Sequence, residues 1–411
     1  MPPPTHRRLS NRCRRSDVDP PLIVATSRAH TGLARPYAKP TGPHLPVHLP
    51  HNAWADPSRL RSERAAHSLD RREAEEYNGI RYTWLIEENT LGSETLEWID
   101  TAPADLGGYE SKLMLADGIP TRYYDVGHGT PLVLVHGAGW RGLASGNTFV
   151  PLFPYLSQHF RLIAPDKLAS GLTGNPRSAE DYTSEALVEH MGAFIRGLDL
   201  GDEVLLLGQS MGGYLATRLA LENQDIVSQL VIVNSATLAP PVGDFTERRR
   251  ALFGDEGVGN KTADDPTALL EGIRVQIERL SYTRDHITDD FLEAKLYMEQ
   301  TQKSRETLRV WAEEGGEAIY RESQKRQKED TLTRLAAGEL NMPVLIYWGA
   351  DDPSALLEQG HRLFDLMRAN NDRTRMIVTN GAGHFHYRER PEEFSYNVRN
   401  FLEFWRGTKP G

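Results

Sequence analysis

Cysteine is nearly absent from this chain of 411 residues: Cys13 stands alone. That excludes an intramolecular disulfide and any cysteine-built metal cluster. No run approaches the roughly 20 apolar residues that a membrane-spanning helix needs. Positive charge is also short, with 47 Lys+Arg against 57 Asp+Glu and a net charge of −10. The shortage is uneven. Residues 1–72 hold 13 Lys+Arg against 5 Asp+Glu, so the rest of the chain carries 34 against 52. A body that acidic argues against nucleic-acid binding. Apolar residues make up 39%, enough for a full core. The expectation is a globular, cytoplasmic protein with no nucleic-acid or membrane partner.

Eleven prolines fall within residues 1–72, without helical or strand period. Proline fixes φ and removes a donor, so this stretch reads as a disordered basic leader. The arginine pairs Arg7-Arg8 and Arg14-Arg15 suggest an export signal, but the apolar run after them, 21–25, is too short for a signal-peptide core. The six leader histidines lack metal-ligand spacing. Residues 73–110 read as a short adaptor anchored by Tyr82, Trp84, Leu85, Leu91, Leu96, Trp98 and Ile99.

From residue 111 the pattern becomes regular. Segments 112–116 and 119–126 flank Asp117-Gly118, a hairpin signal. Continuous apolar runs at 131–136 (PLVLVH), 161–166, 203–208, 228–233, 342–348 and 375–378 suit buried parallel strands. Helices are expected at 184–198, 212–221, 354–369 and 394–405, alternating with those strands. The pattern predicts an α/β fold, a mostly parallel sheet with helices on both faces. One stretch, 240–337, holds no convincing strand. Helices at 263–280, 289–300 and 305–328 read as a cap over the C-terminal edge of the sheet, between core segments 111–239 and 338–411.

The sharpest motif is Gly208-Gln209-Ser210-Met211-Gly212, followed by Gly213. It lies between a strand and a helix, as a nucleophile elbow requires. A serine hydroxyl needs a base, and in this arrangement the acid and then the histidine come later in the chain. Asp351 and Asp352 follow the strand at 344–348, and His384 follows Gly381-Ala382-Gly383. Asp352 is preferred over Asp351, and His384 over His386. A metal site at His384 and His386 lacks a third ligand. The oxyanion donors are expected from the amide of Met211 and from Ala138, in the loop His136-Gly137-Ala138-Gly139-Trp140. His136 is expected to brace that loop. Lys167 is expected to shape the rim of the cleft.

Residues 111–407 resemble a serine hydrolase of the alpha/beta hydrolase fold, closest to the meta-cleavage-product hydrolases. The resemblance rests on the HGAGW loop, GQSMGG at 208–213, ITDDFLEAKLYMEQTQ at 287–302, 348–352 and 381–384. It implies hydrolysis of a carbon–carbon bond in a vinylogous diketone acid. It also implies substrate contacts by Asn147, Trp140, Gln209, Lys295 and Phe385. Gln209 stands where that family usually has Asn, and Lys295 where it has a cap arginine. Phe385 stands where it has Trp, and Trp140 and Arg141 in a loop that usually carries proline.

Two other readings stay open. A carboxylesterase or lactonase would use the same triad, and a ligand receptor of this fold would use only the pocket. The expectation is a small-molecule substrate, no metal and no organic cofactor, with assembly into a homo-oligomer left open.

Overall fold

The computed structural model describes residues 100–407, apart from 139, 141, 244–245 and 254–264. It also describes two short paired antiparallel strands, Glu75–Tyr77 and Ile80–Tyr82. The leader over 1–72 and the anchors expected between 82 and 99 lie outside the described residues or are described in backbone only.

Eight strands form one sheet. They are β1 (Ser111–Ala116), β2 (Ile119–Val126), β3 (Pro131–Val135), β4 (Arg161–Pro165), β5 (Val204–Gln209), β6 (Val227–Val233), β7 (Val344–Gly349) and β8 (Thr374–Thr379). Their spatial order is β1-β2-β4-β3-β5-β6-β7-β8. The β1–β2 and β2–β4 pairs are antiparallel and all others parallel. Asp117 and Gly118 both have positive φ, +49° and +72°, the turn that the hairpin between β1 and β2 demands. The chain leaves β3 for β4 on one side and returns to β5 on the other. The strand order therefore reverses beside β3, where open α/β sheets leave a crevice at their C-terminal edge.

The central strands are apolar on both faces because both are covered. Val133, Val135, Leu206 and Ile232 pack into one layer, and Leu132, Leu134, Leu205 and Val231 into the other. The first layer receives α1 (Ser184–Gly197), α2 (Met211–Glu222) and a later helix, Leu357–Arg368. Leu187, Met191, Phe194 and Ile195 form the buried stripe of α1, and Thr183 caps it by accepting the Ala186 N–H. Each such side chain, fully buried, contributes roughly 1.5–3 kcal/mol.

Between β6 and β7 the described residues hold only helices. They are α3 (Thr246–Phe253), α4 (Pro266–Leu280), α5 (Asp289–Glu299), α6 (Gln302–Glu313) and α7 (Gly316–Ala336). The single helix expected over 305–328 is two. Gly315, at φ +81°, turns the chain between α6 and α7, a backbone state that costs other residues more. After α7 come α8 (Leu357–Arg368) and α9 (Pro391–Phe404). Sheet and helices lie within one compact unit, Asp70–Gly411. No helix among the described residues is long and apolar enough to cross a membrane.

Candidate active site

Ser210 stands between β5 and α2 with φ +55° and ψ −122°, a backbone state costing on the order of 1–3 kcal/mol. Two bonds hold it there. Its N–H donates to the Val233 carbonyl at 2.8 Å, and its carbonyl accepts from Ser235 Oγ at 2.6 Å. The glycines around it are dictated by contact. A Cβ at Gly208 would lie 2.1 Å from the Gly212 carbonyl oxygen, and one at Gly212 would lie 2.0 Å from that of Val135. The turn can close only where those side chains are missing.

His384 follows β8 on the loop that begins at Gly381. Its Nδ1 lies 2.6 Å from Asp352 Oδ2, with Asp352 only 4% exposed. The carboxylate is held rigidly. Oδ1 accepts from the amides of Ser354 (2.7 Å) and Ala355 (2.9 Å) and from Ser354 Oγ (2.8 Å), while Oδ2 also accepts from Asn234 Nδ2 (2.7 Å). A carboxylate so placed keeps the proton on Nδ1, which leaves Nε2 as the basic nitrogen. Ser210 and His384 line the same cavity. The neighbouring Asp351 is exposed and accepts the Gly381 amide instead. His386 is 1% exposed, packs against the rings of Tyr347 and Phe394, and does not line that cavity.

The His384 loop is tied to the helical insertion. The His384 amide donates to the Leu280 carbonyl at the end of α4 (2.8 Å). Glu389 accepts the amide of Gly383 through one oxygen, and those of Tyr282 and Thr283 through the other. Burial raises the Glu389 pKa above the usual carboxylate range, and the three amides pull it back.

Ala138 follows β3 at φ +54°, with Gly137 packed so closely that a Cβ there would meet Ser210 Cβ at 2.8 Å. Among the described residues neither the Ala138 nor the Met211 N–H has an acceptor. Met211 is the first residue of α2, where N–H groups have no partner within the helix and the helix dipole favours negative charge. Gly139 and Arg141 lie outside the described residues.

The cavity is about 230 Å³. Ile273, Gln276, Ile277 and Leu280 of α4 and Lys295 of α5 wall it opposite the elbow, so insertion and sheet share one site. Gln209 and Phe385 also line it. Gln209 Nε2 donates to the His384 carbonyl at 3.3 Å. Lys295 donates to the Leu143 carbonyl and lies over the Phe291 ring. Burial, reinforced by Arg388, pushes its pKa down to about 7.

Two residues expected at the substrate are elsewhere. Trp140 is buried against Tyr182 and Tyr320, ring centroids 4.9 and 5.7 Å away, and does not line the cavity. Asn147 is fully buried below the loop. Its Oδ1 accepts from Arg122 and Tyr124, and its Nδ2 donates to the Ala104 carbonyl. That buried guanidinium, also paired with Asp166 and Asp105, needs acceptors, and Asn147 is spent supplying one. Ser145 and Thr148, on either side of it, line the cavity instead.

Sequence reasoning missed Asn234. It directly follows β6 at φ +44° and joins three segments: it donates to Asp352 and to the Gly383 carbonyl, and accepts the Gly349 amide. A polar residue closing an apolar strand (VIVN) is the one signal it leaves in the sequence.

The sequence profile of the alpha/beta hydrolase fold matches residues 130–391. A 2-hydroxy-6-oxo-6-(2'-aminophenyl)hexa-2,4-dienoic acid hydrolase of Metapseudomonas resinovorans is 26% identical, over 72% of this chain and 91% of that protein. A 2-hydroxy-6-oxo-2,4-heptadienoate hydrolase of Pseudomonas putida is 27% identical, over 71% of this chain and 95% of its own length. The solved structure of a meta-cleavage product hydrolase from Pseudomonas fluorescens superposes with a TM-score of 0.56 at 24% identity, covering 71% of this chain and 97% of that one. The profile spans well over half of the residues, from β3 through the His384 loop, and the sheet order and the serine turn accord with it: the chain belongs to the alpha/beta hydrolase fold family.

Proposed function

We propose that this protein is a serine hydrolase that cleaves a carbon–carbon bond in a small vinylogous diketone acid. Ser210 is the nucleophile, His384 the general base and acid, Asp352 its orienting carboxylate, and the amides of Ala138 and Met211 the oxyanion donors. The observation that carries the reading is His384, held by the buried Asp352, lining one cavity with a serine on a strained strand–helix turn.

His384 Nε2 takes the Ser210 proton as Oγ bonds to the substrate's carbonyl carbon. The oxygen becomes an anion against the two amides, which act best in a water-poor site. When the tetrahedral centre collapses, the carbon–carbon bond breaks and its electron pair enters the adjoining keto acid. The conjugated dienol must therefore first be drawn to its keto form. His384 protonates the departing carbon, then deprotonates a water that frees the acyl group from Ser210.

The walls of the cavity support an anionic, partly apolar substrate. Lys295 offers a cation, and among the described residues the lining holds no Asp or Glu, while Ile273, Ile277 and Leu280 face the remainder. A lysine pairs a carboxylate as a point charge, without the fork of an arginine. The named functions of the Metapseudomonas and Pseudomonas relatives support the same choice.

The test is turnover of a ring-fission dienoate, followed by loss of its visible absorbance, against a short p-nitrophenyl ester. The dienoate is expected to show the higher kcat/KM. Ser210→Ala is expected to lose about six orders of magnitude in turnover, by analogy with a serine protease series, while still binding the substrate. Preference for the ester would overturn the carbon–carbon assignment, and turnover surviving in S210A would overturn the nucleophile.

A further inference from the structure

We propose that Lys167 is a positioning residue for the oxyanion hole, its ammonium holding the two carbonyls that flank the Ala138 amide. The inference rests on the reading of Ala138 as an oxyanion donor and adds the group that aims it. Lys167 follows β4 and is 1% exposed. Its Nζ donates to the Ala138 carbonyl at 2.6 Å and the Gly137 carbonyl at 3.1 Å. Among the described residues no carboxylate pairs with it. An ammonium taken out of water without a counter-ion is costly, and a well-packed apolar side chain in its place would be cheaper. The two carbonyls are what it is there to meet.

The geometry of one peptide unit carries the argument. Gly137 C=O and Ala138 N–H belong to the same peptide group, and the described residues contain no cis peptide bond. In a trans peptide these two groups point in opposite directions. Drawing the carbonyl toward Lys167 therefore turns the N–H the other way, and the Gly137 backbone packs directly on Ser210. The conformation needs holding, because Ala138 sits at φ +54°, where a residue with a Cβ loses about 1–2 kcal/mol.

His136 completes the clamp. Its Nε2 accepts the Lys167 main-chain N–H at 3.0 Å, so Nδ1 carries the proton and donates to the Gly137 carbonyl at 2.9 Å. Burial, and then the Lys167 charge, hold His136 well below its ordinary pKa, which keeps that tautomer neutral. Lys167 thus fixes the peptide twice, through its ammonium directly and through its amide by way of His136. A cationic donor on the carbonyl also polarises the amide and makes its N–H a stronger donor. Burial pushes the Lys167 pKa down to about 7, but its carbonyl partners serve the charged form.

The experiment compares wild type, Lys167→Met and Lys167→Arg by steady-state kinetics and by affinity for a boronic acid, whose adduct on serine is a tetrahedral anion. In K167M, kcat is expected to fall about 10- to 100-fold, somewhat less than the loss of an oxyanion donor outright, with KM within about threefold. Boronate affinity should fall by the same factor. K167R, which keeps donors and charge, should recover most of the loss. Substrate affinity of S210A should be unchanged when K167M is added to it. A kcat within threefold of wild type in a folded K167M, or a loss confined to KM, overturns the proposal. If K167M does not fold, Lys167→Gln carries the same comparison with the same two outcomes. A wild type that neither turns over substrate nor takes a serine-reactive phosphonate on Ser210 would instead overturn the hydrolase reading.

Discussion

Replacing His386 with phenylalanine should make the protein more resistant to acid. The imidazole is 1% exposed, meets its aromatic neighbours tilted or edge-on, and neither ring nitrogen has a hydrogen-bond partner among the described residues. Burial pushes its pKa down to about 3. In the unfolded chain it titrates near 6.5. Between these values the unfolded state binds a proton that the folded state refuses, so stability falls as pH drops through 6.5 and continues to fall toward about 3. Integrating that difference gives a loss of about 2 kcal/mol at pH 5 relative to pH 7 from this one side chain. Phenylalanine has no such proton to take up and fits the same aromatic surroundings. Denaturant unfolding of wild type and H386F at pH 7 and pH 5 measures the difference. The variant should gain about 2 kcal/mol on wild type across that interval. Parallel losses in both proteins would mean that the folded state does not exclude a proton from His386. Loss of phosphonate labelling of Ser210 in a folded H386F would put the imidazole in the reaction.

Lys295 should give the KM an alkaline limb. With a pKa of about 7 in the free protein, it loses the charge that would bind a carboxylate, so KM should rise about tenfold from pH 6 to pH 8. Lys295→Met should raise KM at pH 6 and flatten that rise, and a rise persisting in K295M would count against the assignment. Asn234→Ala leaves the Gly349 amide and the Gly383 carbonyl without this partner, and is expected to cost about 2–4 kcal/mol in unfolding experiments and to lower kcat. Unchanged stability would mean that water replaces the amide. Two glycines offer a paired test. Gly212→Ala drives a Cβ into the Val135 carbonyl and should prevent soluble expression, while Gly192→Ala, inside α1 with 3.9 Å to its nearest neighbour, should raise stability by about 0.5–1 kcal/mol. If both variants behave alike, close contact is not what requires glycine at the elbow.

Features with local signals could be read from the residues alone. Alternating apolar runs and amphipathic stripes located the strands and core helices, because a strand covered on both faces must be apolar throughout. The Gly-Gln-Ser-Met-Gly turn was legible because contact forbids a Cβ at Gly208 and Gly212, which leaves a mark at single positions. Chain order after the elbow then pointed to His384 and to the Asp351-Asp352 pair. The break between α6 and α7 was visible only as Gly315-Gly316 inside a helical pattern, and propensity alone did not separate the two helices.

Which polar residues reach the cavity and which hold its walls depends on the folded packing. Asn147 and its neighbours Ser145 and Thr148 are equivalent in a string, but one faces a buried guanidinium and the others the cavity. Asp351 and Asp352 are adjacent in sequence and differ in what packs against them. Asn234, Lys167 and Glu389 join segments far apart in the chain, and nothing near each of them in sequence records the partner. Hydrogen bonds between distant segments depend on distances that the fold creates, so their residues carry no periodicity by which they could be read.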